Sequence, residues 1–160
     1  MAEFGADTFP RPVDPAILSA FEAVWEGLAV AGPWWTAAER VAIVAATRRS
    51  LRLPLGETAP DIAVLSDLVG PDGLSPLTRE VVRRLAVDAG RITREWATAA
   101  IGRMGHGHYV ETVALVVQTV PIDLLCDLLG RPRQALPVPG KGEPSRVVPD
   151  GLGQEGAFVP

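Results

Sequence analysis

The chain has 160 residues, 48% of them apolar and 21% charged, with one Cys and a formal net charge of −4. That length can bury one sizeable core without staples, so a single domain is expected. One thiol excludes an internal disulfide framework, a four-Cys zinc site and a dithiol redox cycle completed within one subunit. The acidic balance argues against nucleic acid, because phosphate neutralisation needs a concentrated basic face and the short pairs Arg48-Arg49 and Arg83-Arg84 do not supply one.

The first residues, MAEFGADTFPRP, hold two prolines and little periodicity and read as an arm over 1–13. Asp14 followed by Pro15 is a helix start. Ile17, Leu18, Phe21, Val24, Trp25 and Leu28 then recur at helical spacing up to Gly32-Pro33. Thr36-Ala37-Ala38-Glu39 is a capping box, in which hydroxyl and carboxylate each satisfy a free amide, and the helix it opens continues through VAIVAATRRS. Pro54 and GETAP end that helix, and DIAVLSDLV is expected to form a shorter one before Gly70-Pro71.

Ser75-Pro76 again combines a cap with proline and opens LTREVVRRLAVDAG, with Gly90 as the expected stop. Thr93 caps a further segment, ITREWATAAIGRM. A turn made by Gly105, His106, Gly107 and His108 should lead into YVETVALVVQTVPIDLLCDLLG. This last segment is apolar on every side over 113–117, so it is expected to be a central helix buried nearly all round. Pro121 in its interior removes an amide and should leave the Val117 carbonyl without a partner, at a kink. Thr112, Thr119, Asp123 and Cys126 fall three or four residues apart or in multiples of that spacing, a polar stripe that could line a cavity.

From Arg131 to the end the chain holds six prolines and five glycines, so it cannot be helix. Leu136, Val138, Val147, Val148, Leu152 and Ala157-Phe158-Val159 give it apolar anchors. It is read either as an extended tail lying over the body or a neighbouring subunit, or as disorder. The expected organisation is therefore an arm (1–13), a helical domain (14–131) and a tail (132–160). No repeat and no strand-like alternation is present. The acidic N-terminus and the lack of a long uncharged apolar stretch lead to the expectation of no signal peptide and no membrane anchor. A cytoplasmic, reducing location fits the single thiol.

The stretch LSPLTREVVRRLAVDAGRITREWATAAIGRMGHGHYVETVALVVQTVPIDLLCDLLG resembles the second half of the AhpD-like alkylhydroperoxidase and carboxymuconolactone decarboxylase superfamily. There a Leu-Ser-Pro helix start is followed by a helix, a glycine turn, a Val-Glu opening and a long central helix ending in Leu-Gly. WWTAAERVAIVAATRRS is similar to the preceding helix of that family, and the tail with its GEPSR segment looks like that of a peroxidase-related branch. The resemblance spans about residues 33–135. It implies an all-α, AhpD-like helical bundle and a homo-oligomer, dimeric or higher, in which a second copy covers apolar faces that one copy leaves open. It also implies a C-x-x-C pair with a Glu and a downstream His. The thiol pair would fall just beyond Ala46, where this chain reads TRRSLRLPL, so dithiol peroxidase chemistry is not carried over. The decarboxylase branch works without thiols, but its acid–base pair has no clear counterpart here.

Several side chains invite a functional reading beside a plainer one. Thr119, Asp123 and Cys126 form the leading candidate, because a buried carboxylate would have its pKa raised toward acid–base use. The plainer reading is an Asp123–Arg ion pair beside an inert thiol. His106, His108 and Glu111 invite a metal, but their spacing is not that of a helical zinc motif, so no metal or other cofactor is expected. His108 and Glu111 could instead act as an acid–base pair. Arg40 is either a salt-bridging residue or a clamp for an anionic substrate group, and Trp34 and Trp35 either a hydrophobic lid or a ligand stack. Two functions stay open: a small-molecule binder or thiol-independent enzyme with a pocket of Trp34 or Trp35, Arg40, Asp123 and Cys126, and a catalytically inactive structural or regulatory homo-oligomer.

Overall fold

Helix α1 (Pro15–Gly27) begins where Asp14 accepts the Ala16 amide, and α2 (Ala37–Ser50) where Thr36 and Glu39 close both halves of their capping box. A computed structural model describes residues 13–52, 60–148 and 150. Helices α3 (Pro76–Val87) and α4 (Arg94–Met104) start at the Ser75 and Thr93 hydroxyls, and α5 (His106–Leu128) is the longest element. The described chain is all-α, with five helices, two single 3-10 turns and no strand. Pro54, residues 56–59 of GETAP, residues 1–12 of the arm, and the tail anchors from Leu152 onward lie outside the described residues.

Helix α5 packs against all four others. On one side Leu115, Val116, Ile122 and Cys126 meet Leu18, Trp25 and Leu28 of and just after α1, and Ile43, Val44 and Ala46 of α2. On the other, Tyr109 meets Val81 of α3 and Ala100 and Ile101 of α4. By length and composition α5 is apolar enough to cross a bilayer. Its inward side nevertheless carries Glu111, Thr112, Thr119 and Asp123, all buried among the other helices.

Four local expectations are corrected. DIAVLSDLV forms only a 3-10 turn, Ile62–Val64, because the Arg103 guanidinium donates to the Ile62 and Leu65 carbonyls and takes the place of helical amides. Helix α3 stops at Val87 rather than at Gly90, which lies in the second 3-10 turn, Ala89–Arg91. His106, Gly107 and His108 are not a turn but the first turn of α5. The break belongs to Gly105 alone, whose φ of 83° is a conformation that L side chains rarely adopt. Finally, α5 is not buried all round, since Val117 is 62% exposed and Leu128 65%. Pro121 stands on that open side without ending the helix, where water can take up the carbonyl it deprives of an N–H.

Beyond Gly130, which also has a positive φ, the chain runs back over the body as an extended strap. Gly140, Ser145 and Arg146 donate their amides to Ala29, Gly32 and Pro33 at 2.8, 3.3 and 2.8 Å, so the strap is sewn to the loop between α1 and α2.

Candidate functional site

A cavity of about 610 Å³ opens between the first half of α5, the Pro33-Trp34 loop and the end of the strap. Its walls are mainly apolar: Trp34, Val110, Ala114, Leu115, Val147 and Val148. That size lies within the range of small-molecule sites. Gly107 admits the Trp34 indole against the backbone of α5, since a Cβ there would overlap the ring.

The polar part of the site is tightly organised. Arg40 donates to Glu111 Oε1, and Glu111 Oε2 accepts the backbone amides of Trp34 at 2.7 Å and Trp35 at 3.0 Å. Both partners are largely buried, and Arg40 also donates to the Leu28 and Gly27 carbonyls. Gly32 leaves room for this pair, because a Cβ would overlap both the carboxylate and the guanidinium. The carboxylate therefore fixes the loop that carries Trp34, and its charge is compensated on the spot.

His108 stands between the two tryptophans, with ring centroids 5.7 Å from Trp34 and 4.6 Å from Trp35. Trp35 is turned inward, donating its Nε1 to the His108 carbonyl and to Thr112 Oγ1 at 3.2 and 3.1 Å, and it lines a smaller recess rather than the main cavity. Burial, then the nearby Arg146 charge, pushes the His108 pKa below the usual histidine value of 6.5. The imidazole is thus neutral at pH 7, and Nε2 accepts from Arg146 Nη1 at 3.2 Å. His106 also borders the cavity but is exposed. The start of α5 has neither a side-chain cap nor an acid in its first turn, which leaves its positive dipole end uncompensated there.

The structure splits the residues that the sequence gathers into one pocket. Arg40 and Trp34 border the cavity together with His108 and Glu111, while Asp123, Cys126 and Thr119 line neither this cavity nor the smaller recess. Asp123, 1% exposed, is held by both arms of Arg48 at 2.8 and 2.6 Å, with Arg133 at 3.4 Å. Arg48 also donates to the Gln134 carbonyl at 2.6 Å and lies over the Trp25 ring, whose Nε1 reaches the Ala135 carbonyl at 3.2 Å. This cluster clasps the strap to the body. Thr112 and Thr119 return their hydroxyls to the carbonyls of His108 and Leu115, each at 2.7 Å, the ordinary way a helix buries threonine. Burial pushes the Cys126 thiol up, with the Asp123 charge adding to it, which disfavours the nucleophilic thiolate.

The roles of Arg48, Gly107 and Arg146 are missed by reasoning from the sequence, while Val147 and Val148 are read there only as apolar anchors of the tail. Gly107 stands there in an expected glycine turn, which gives no sign that it seats the Trp34 indole. Among the described residues no three His, Cys, Asp or Glu side chains converge as a metal shell. The chain matches no family model, no curated protein and no solved structure.

Proposed function

We propose that this protein binds a small, largely apolar molecule in the cavity between α5, the Trp34 loop and the strap. The carrying observation is the cavity itself: about 610 Å³ of mainly apolar space whose wall is held in place by the buried Arg40–Glu111 pair. The state of the nearby polar groups supports binding over catalysis. Glu111 accepts from Arg40 and two amides, and His108 Nε2 is engaged by Arg146, so both acceptors already hold structural partners. Cys126 lies in the core away from the cavity, so no thiol step is part of this reading.

Titration with anilinonaphthalene sulfonate tests it. Saturable one-to-one binding is expected, weakened by A114W, which narrows the cavity, and kept by L124E, since Leu124 does not line it. Equal binding by A114W with an unchanged circular dichroism spectrum would overturn the reading.

The second reading is a homo-oligomer, favoured by the open apolar side of α5. Val110, Val117, Leu124 and Leu128 recur at helical spacing and are 38–65% exposed, with Pro121 among them. A second copy presenting the same stripe would cover it. Sedimentation velocity should give a dimer or higher form that L124E dissociates; a monomeric parent overturns this reading. Membership of the AhpD-like superfamily, without its dithiol site, is proposed on the order of the helices and their capping residues alone.

A further inference from the structure

Resting on the small-molecule reading above, we infer that the cavity takes an amphipathic organic anion, with its carboxylate on the Arg146 guanidinium and its apolar body between Trp34 and α5. Two guanidiniums stand at this site, and they differ in kind. Arg40 is neutralised by Glu111. Arg146 has no carboxylate within ion-pair distance among the described residues; its contacts are the neutral acceptor His108 Nε2 at 3.2 Å and the face of Trp34, 5.5 Å from the ring centroid. Both of those side chains line the cavity, as do Val147 and Val148, which follow Arg146 in the strap. The cation is therefore set at the rim, with open hydrogen-bonding capacity, against a wall that is otherwise uncharged apart from the Arg40–Glu111 pair.

The backbone holds it there at a cost. Arg146 has φ 55°, a left-handed conformation uncommon for a residue with a Cβ. Its amide is tied to the Pro33 carbonyl at 2.8 Å, and that of Ser145 to Gly32 at 3.3 Å. These two successive amides hold the backbone directly before the point where the side chain leaves the strap. One cation at the rim and apolar walls beyond it suit a ligand with one anionic end.

Calorimetric titration with decanoate and with 1-decanol, which share a chain and differ in head charge, tests the inference on the whole protein. Decanoate is expected to bind about tenfold more tightly than decanol, the size of one charge-assisted hydrogen bond. R146Q should remove that preference while leaving decanol within about twofold, and R146K, which restores the charge, should recover most of it. A114W should weaken both ligands. Equal affinity of the parent for the two ligands, or a preference that R146Q leaves intact, overturns the anion inference while the cavity reading stands. Binding of neither ligand, or binding that A114W does not weaken, overturns both.

Discussion

Glu111 and Trp34 lie 77 positions apart in the chain, and the Glu111 carboxylate accepts the Trp34 backbone amide at 2.7 Å. One acid on α5 thus anchors the loop whose indole walls the cavity, and it also compensates the buried Arg40. E111Q keeps an acceptor for the amides but leaves the Arg40 charge without its counterion. Urea denaturation should show a loss of about 3–5 kcal/mol, and R40M/E111L should lose less than the sum of its single variants.

Asp123 is expected to act on stability rather than directly on ligand binding, because its carboxylate is consumed by Arg48 and Arg133. D123N should cost about 3 kcal/mol and release the strap. Limited proteolysis should then cut within 131–148 faster than in the parent. Unchanged cleavage would mean that the clasp does not hold the strap.

Cys126, 1% exposed and with its thiol pushed up by burial, should be inert in the folded protein. An aromatic disulfide reagent is expected to titrate it slowly at pH 7.5 and rapidly in urea. Fast labelling of the native protein would contradict the buried placement.

Two glycine substitutions should differ in sign. Gly102 in α4 has open space where a Cβ would go, so G102A should stabilise by about 0.5–1 kcal/mol through helix propensity. Gly107 has the Trp34 indole there, so G107A should destabilise and shift tryptophan fluorescence. Thermal melts of the two variants check this directly.

Acid should weaken the fold in two windows. The folded pKa of His108 lies below its unfolded value of 6.5, so the folded state resists protonation, and stability falls as pH drops through 6.5 toward that lower value. Protonation would also set an imidazolium against Arg146. H108Q should flatten the slope of melting temperature against pH in this range. Asp72 is held down to about 2 by its hydrogen bond to Arg79, so its contribution is present above 3.8 and is lost as pH falls to about 2. Both side chains are about one-third exposed, which limits that second loss to under about 1 kcal/mol.

The sequence by itself determined where α1 to α4 start, because those signals are local. Asp14-Pro15, the Thr36–Glu39 box, Ser75-Pro76 and Thr93 each satisfy amides within one turn and need no distant partner. It also ruled out a disulfide framework and helix in the strap by residue type alone. Only the tertiary structure decided which side of α5 faces inward. The buried side carries Thr112, Thr119 and Asp123, and the open side Val117 and Leu124. Hydropathy misleads there, since threonines satisfy themselves within the helix and Asp123 is matched by Arg48 from α2, 75 positions away. The same reason explains the site. Arg40, Glu111 and Trp34 meet across more than 70 positions, and Arg146 arrives from a strap without periodicity, so the cavity exists only once packing and long-range ion pairs bring them together.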